Sequence, residues 1–117
     1  MAKLTVRVEL TGDAAVGPGK AKLLEMIEEH GSISAAGRAM GMSYRRAWLL
    51  VDELNRIFSK PLVAAQHGGV QGGGASLTPL GREVAERYRA IERRAAAAAA
   101  EDMRALLRAM SRRASGS

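Results

Sequence analysis

The chain contains no cysteine. That excludes disulfide frameworks and cysteine-ligated zinc, and it suits a reducing compartment. Histidine is scarce: His30 falls at the end of a predicted helix and His67 in a glycine-rich loop, and these are the only 2. Neither stands in a His-x-x-x-His or Glu-x-x-His arrangement on a helix, and no Gly-x-Ser-x-Gly elbow occurs, so hydrolytic chemistry has no residues to work with. The acidic neighbours Glu28 and Glu29, and Asp52 and Glu53, read as solvated helix charges. Gly17-Pro18-Gly19-Lys20 lacks the spacing of a phosphate-binding loop, and Gly72-Gly73-Gly74 lacks the Lys-Ser/Thr that would have to follow. No apolar run approaches the roughly 20 residues that cross a bilayer. Residues Met1 to Leu10 alternate polar and apolar and do not resemble a signal peptide. The expectation is a cytoplasmic protein that is not an enzyme, holds no metal or cofactor and contacts no membrane.

What is present is basic. Of 117 residues, 18 are Lys or Arg against 12 Asp or Glu, a net charge of +6. The excess is unevenly placed: the net charge is −1 over residues 1–31, +3 over residues 32–78 and +4 over residues 79–117. Such a distribution favours an anionic partner, nucleic acid before acidic membrane, engaged from residue 32 onward.

Leu4, Val6, Val8 and Leu10 alternate with Lys3, Thr5, Arg7 and Glu9, the period of a half-buried strand that Thr11-Gly12-Asp13 ends. Pro18 can open a helix lined by Leu23, Leu24 and Ile27, running to His30 and stopped by Gly31. A short helix follows from Ile33 to Met40, capped by Ser32 or Ser34, with small residues at Ala35, Ala36 and Gly37 that let a neighbour approach closely. Gly41-Met42 breaks it. A second helix runs from Ser43, the expected N-cap, to Phe58. Tyr44, Ala47, Trp48, Val51, Leu54, Asn55 and Phe58 cluster within one broad face, so Trp48 is expected in the core. Arg45, Arg46, Leu49, Glu53 and Arg56 occupy the opposite side. After Pro61, Leu62 to Gln66 and Ala75 to Thr78 form a hairpin whose tip, His67 to Gly74, holds five glycines. Thr78 caps, and Pro79 opens, a last helix uninterrupted except by Gly81. Val84, Tyr88, Ile91, Ala95 and Ala98, then Ala99, Met103, Leu106 and Met110 one residue out of phase, draw an apolar stripe longer than a small domain can cover. Pairing with a second copy is the expectation.

Helix, tight turn, helix and glycine-tipped hairpin, in that order, are the parts of a winged helix-turn-helix, whose second helix enters the DNA major groove. The fold class expected is mainly α with a small β component. Residues 1–78 would form the winged DNA-binding domain, residues 79–112 a dimerisation helix and residues 113–117 a disordered tail. Arg45 and Arg46 would contact bases or phosphates, supported by Ser43 and Tyr44, whose ring packs inward while its hydroxyl reaches a phosphate. Leu49 would touch a thymine methyl. Arg38, His67 and Gln71 would meet the backbone. Val84, Tyr88, Ile91, Ala95, Met103, Leu106 and Met110 would carry dimerisation. Two other classes fit the same parts: a winged-helix adaptor, which has no need of the Arg45/Arg46 pair, and a nonspecific nucleoid-type DNA-binding protein.

Residues 31–55 (GSISAAGRAMGMSYRRAWLLVDELN), then Pro61-Leu62-Val63, then residues 68–81 (GGVQGGGASLTPLG) resemble the N-terminal DNA-binding domain of ModE-type molybdate-responsive regulators. Ser-Tyr-x-x-Ala-Trp at 43–48 and Gly-Gly-Gly-Ala-x-Leu-Thr at 72–78 are the specific parts, and the likeness extends over about residues 3–90. The resemblance implies a winged helix-turn-helix related to that of LysR-type regulators and dimerisation through the terminal helices. It also implies a palindromic double-stranded operator near molybdate-transport or molybdoenzyme genes. Full-length members carry C-terminal oxyanion-binding domains, for which this chain leaves no room after its long helix. Direct molybdate binding is therefore not expected of it, whether it stands alone or is a fragment.

Overall fold

The computed structural model describes residues 2–66 and 74–110. It holds two antiparallel hairpins and four helices among those residues, in the order β1 (Val8–Thr11), β2 (Ala14–Val16), α1 (Pro18–His30), α2 (Ile33–Ala39), α3 (Tyr44–Ile57), β3 (Val63–Gln66), β4 (Gly74–Leu77) and α4 (Pro79–Ala109). This is a winged helix-turn-helix with a long C-terminal helix. The hairpin tip, with His67 and Gln71, and the expected tail at 113–117 lie outside the described residues.

The amino end differs from the expectation. The strand begins at Val8, not Leu4, and turns back through Gly12 and Asp13 into β2, with Val8 opposite Val16 and Glu9 opposite Ala15. The alternation upstream still has a consequence, because Val6 faces inward and its carbonyl accepts a 2.7 Å hydrogen bond from the Tyr88 hydroxyl. A three-residue β2 is too short to show a period in sequence, which is why the pairing was not foreseen.

Caps set the helix starts. Ser32, Ser43 and Thr78 each turn a side-chain oxygen to the backbone N–H three residues on: Ala35 at 3.0 Å, Arg46 at 3.1 Å and Gly81 at 3.0 Å. Each satisfies one of the donors that a helix N-terminus leaves open. Between α2 and α3 the chain reverses at Gly41, whose φ of 71° lies in the left-handed region that side chains other than glycine's resist. The Met42 N–H then reaches back to the Gly37 carbonyl at 2.9 Å, closing the turn.

The core lies where α1, α2 and α3 meet the base of the second hairpin. Leu23, Leu24, Ile27, Leu54 and Leu62 are wholly buried, each contributing on the order of 2 kcal/mol of apolar transfer. Asn55 ties α3 to that hairpin. Its Oδ1 accepts from the N–H groups of Leu62 at 2.9 Å and Val63 at 3.1 Å, and its Nδ2 donates to the Val63 carbonyl at 3.2 Å. In β3 and β4, Val63 lies opposite Leu77 and Gln66 opposite Gly74. The Ala75 N–H bonds the Gly31 carbonyl at 2.8 Å, anchoring the hairpin to the end of α1.

α4 belongs to this body only at its start. Gly81, Ala85 and Tyr88 are its buried residues, and beyond them the described helix buries no side chain. Tyr88, 2% exposed, packs with Val16 and Ala21. Its expected place in a dimer stripe is therefore corrected: it is a core residue of the single chain. Next to it, Arg89 grips α1 with a two-pronged pair to Glu25 at 2.8 and 2.9 Å and also donates to Glu92 at 2.8 Å. The hydrogen bonds from Arg89 hold the Glu25 carboxyl below its ordinary value of 4.5, against partial desolvation that pushes it up. Burial is the first cause raising the Tyr88 hydroxyl above its usual range, and the Glu92 charge adds to it.

A pH dependence follows from Glu25. A carboxyl depressed in the folded state stabilises the fold above its unfolded value and loses that contribution as pH falls through the folded one. Because the Glu25 side chain is 37% exposed, the pair is worth at most about 1 kcal/mol. In urea titrations taken from about pH 5 downward, Glu25→Gln should start less stable and lose stability with a shallower acid slope than the parent. Identical slopes would show that this pair does not govern the acid response.

Candidate nucleic-acid interface

The site is built on α3. The helix presents to the core the positions that recur at three and four residues: Ala47, Val51 and Leu54 are each at most 1% exposed. At about 100° per residue, Arg45 and Leu49 then fall on the side away from the body, separated by one turn. Leu49 is 57% exposed. Arg45 and Arg46 are both exposed. Among the described residues no carboxylate pairs with either, whereas the acids of the same helix are engaged elsewhere: Asp52 with Arg56 at 2.7 Å and Glu53 with Lys20 at 3.0 Å. The outward face of the first turns thus offers the free guanidinium group of Arg45 and, among the described residues, no carboxylate paired with it.

Although adjacent in sequence, the two arginines serve different directions. Arg45 sits with Leu49 on the outward face. Arg46 borders a groove shared with Thr5, Arg7, Gly17, Lys20 and Leu50, beside the start of α1. Lys20 is held there by the Ala15 carbonyl at 2.9 Å as well as by Glu53. Arg38, exposed on the outer side of α2, donates to the Ser34 hydroxyl at 2.8 Å, which steadies it at the surface. Ser43 is exposed, and its oxygen is committed to the cap.

Two expectations on α3 are corrected. Trp48 is not in the core but 42% exposed, and the ring of Tyr44 does not pack inward but is 57% exposed. The indole Nε1–H of Trp48 donates to the Tyr44 hydroxyl, one turn earlier. Position 48 lies about 100° round the helix from Ala47, at the rim of the apolar arc. That flank is only partly covered. Spacing does not decide between positions 47 and 48: Ala47, Val51, Leu54 and Phe58 follow 4-3-4, while Trp48, Val51, Asn55 and Phe58 follow 3-4-3.

The expected dimer residues divide as well. Val84 is half-buried and packs on the core. Ile91 is 41% exposed, Leu106 71% and Met110 44%, and Leu107, which the stripe omitted, is 40%. Ala95 and Met103 are half-buried along the same helix. Among the described residues there is no group of His, Asp or Glu arranged to hold a metal, and no helix is long and apolar enough to cross a membrane.

Comparison with known proteins places this geometry. Residues 19–82, from the first turn of α1 to the first turn of α4, match the family of bacterial regulatory helix-turn-helix proteins, lysR family. The chain is 39% identical over 92 residues to a molybdenum transport protein ModE of Azotobacter vinelandii, covering 77% of this chain and 34% of that protein. It is 46% identical over 87 residues to a molybdenum-pterin-binding protein MopB of Rhodobacter capsulatus, covering 74% and 32%. It is 33% identical over 87 residues to a DNA-binding transcriptional dual regulator ModE of Escherichia coli strain K12, covering 74% and 33%. The chain spans about a third of the length of these curated relatives.

Proposed function

The chain belongs to the lysR family of bacterial regulatory helix-turn-helix proteins, and from that premise we propose that it is a sequence-specific, DNA-binding transcriptional regulator that acts as a homodimer on a palindromic operator. One observation carries the reading: Arg45 stands exposed on the outward face of α3, with no carboxylate paired to it among the described residues. A guanidinium there suits the paired O6 and N7 acceptors of guanine in the major groove, while Leu49 one turn on suits a thymine methyl. Arg46, turned toward the cationic groove beside α1, and Arg38 on α2 suit phosphates, which fix register but carry no sequence information. Ser43 and Tyr44 stand at the groove edge. His67 and Gln71 are assigned to backbone contact on the strength of their place in the hairpin tip alone.

Dimerisation draws its support from α4. About 20 of its 31 residues run beyond Tyr88, roughly 30 Å at 1.5 Å per residue; they carry Ile91, Leu106 and Leu107 exposed, and the C-cap Met110 is exposed as well. A second copy is the partner whose stripe matches by symmetry. Control of genes for molybdate transport or molybdoenzymes is proposed from the names of the relatives.

Selection of bound sequences from a random duplex pool tests the whole reading. Two inverted half-sites, spaced by about 10 base pairs or a multiple, are the expected outcome. An unenriched pool with steep salt dependence would mean nonspecific binding, and no retained DNA would mean an adaptor. Sedimentation at micromolar concentration should give a dimer; monomer alone would remove the symmetric half of the proposal.

A further inference from the structure

The single tryptophan of the chain lies at the rim of the candidate interface, and its setting restricts what it can touch. We propose that Trp48, braced by Tyr44, is a specificity-determining residue whose indole edge contacts a thymine 5-methyl group in the major groove, beside the base met by Arg45. This rests on the DNA-reading function proposed above and adds a residue and a chemistry to it.

Tryptophan contributes most when buried, yet Trp48 is 42% exposed and is flanked by Tyr44 and Leu49, each 57% exposed. Three large side chains on one helix therefore stand about two-fifths or more open to solvent. The charge around them selects the occupant. Arg45 and Arg46 are free of carboxylates among the described residues, and Asp52, the acid nearest this face, is neutralised by Arg56 at 2.7 Å. An apolar patch beside the uncompensated Arg45 fits a polyanion that also presents apolar groups.

The hydrogen bond narrows the chemistry. Trp48 Nε1–H is the only polar group of the indole, and it is already given to the Tyr44 hydroxyl. What remains to face DNA is carbon. Among the base-edge groups of the major groove, the thymine 5-methyl is the apolar one. The same bond, closing across one helical turn, holds the ring in place and reduces the entropy lost on binding. Spacing agrees: Arg45 and Trp48 are three residues apart, about 4.5 Å along the helix. A base-pair step is about 3.4 Å, so the two side chains address neighbouring pairs.

The probe is the highest-affinity duplex recovered from the random pool, and a set of its copies in which single thymines are replaced by uracil. Because Trp48 is the only tryptophan, intrinsic fluorescence reports on it alone. Its emission should change on binding the selected duplex and not on binding a scrambled duplex of the same length. At one thymine, uracil should weaken wild-type binding about fourfold, the value of one buried methyl group. Trp48→Ala should weaken binding to the thymine duplex by at least as much and be indifferent to uracil there. Tyr44→Phe, which keeps both rings and removes the brace, should retain the uracil effect in reduced form. Tyr44→Phe should melt as the parent does, whereas Trp48→Ala gives up a side chain that is more than half covered and should melt somewhat lower, so all affinities are compared at a temperature where every variant is folded.

Selective wild-type binding with silent tryptophan emission, or with uracil effects that persist in Trp48→Ala, overturns the inference and leaves the regulator reading intact. The patch would then belong to a protein partner or to the sugar backbone. A wild type without sequence preference overturns both.

Discussion

A chain carrying Arg45→Ala and Arg46→Ala together is expected to bind its selected operator at least about 30-fold more weakly than the parent, the equivalent of roughly 2 kcal/mol or more. The single variants should differ in kind. Arg45 faces outward with Leu49, so its loss should cost about 1–3 kcal/mol and relax preference at one base position. Arg46 borders the groove beside Lys20 and Arg7. Its loss should weaken all duplexes alike and lower the slope of log affinity against log salt by about one. Neither change should disturb folding, because both side chains are exposed and free of carboxylates among the described residues. Alanine is also the better helix former. Gel shifts or fluorescence anisotropy across a salt series would separate the two. Undiminished binding by both single variants would remove α3 from the groove.

The second large effect concerns stability and runs against helix propensity. Gly81 lies in the first turn of α4, where Ala in place of Gly would ordinarily stabilise a helix by about 1 kcal/mol. Here a Cβ at position 81 would stand 2.1 Å from the Leu62 carbonyl oxygen and 3.0 Å from its carbon. Neither side can yield cheaply. Leu62 is wholly buried, its N–H is held by Asn55 at 2.9 Å and its carbonyl by the Thr78 N–H at 2.9 Å. The start of α4 is fixed in turn by the Thr78 hydroxyl, which donates to the Pro61 carbonyl at 2.8 Å. Overpacking against backbone costs about 1–3 kcal/mol or somewhat more, and parting Thr78 from Leu62 adds about 1. The clash therefore outweighs the propensity gain, and Gly81→Ala should destabilise the fold by about 1–3 kcal/mol net. That is a large part of the 5–15 kcal/mol typical of a domain. Urea unfolding with an unchanged slope and a lower midpoint is the expected record. An equal or higher midpoint would show that α4 can move off Leu62 at little cost.

Much of the molecule was legible before its structure, and the reason is that the informative signals were local. Ser32, Ser43 and Thr78 announce helix starts because a cap involves residues three apart. Gly31 and Gly41 announce stops, and Pro61 separates α3 from the hairpin. The broad apolar face of α3 follows from spacing alone. The errors share the opposite origin. Trp48 falls within the broad apolar face of α3, which predicts a core place, but whether a rim position is covered depends on a neighbour that the helix itself does not specify. Tyr88 was read as a partner-facing residue of a continuous stripe. It is covered because the first hairpin and α1 both meet the start of α4, Val16 from the one and Ala21 from the other against it, and that hairpin includes a strand of three residues with no period to detect. Gly81 looked like an interruption in a long helix; only the passage of Leu62 beneath it reveals a packing requirement.

Amino-acid order by itself determined the succession of elements, their caps and breaks, the basic bias from residue 32 onward and the pair of arginines at the head of α3. Periodicity, capping and charge act within a few residues and need no knowledge of what lies opposite. Tertiary structure alone decided which apolar side chains the body covers. It put Tyr88 inside, left Trp48 and Tyr44 outside, sent Arg45 and Arg46 in different directions and brought Gly81 onto a carbonyl. Burial and close approach are properties of two surfaces meeting, and the second surface comes from a distant part of the chain.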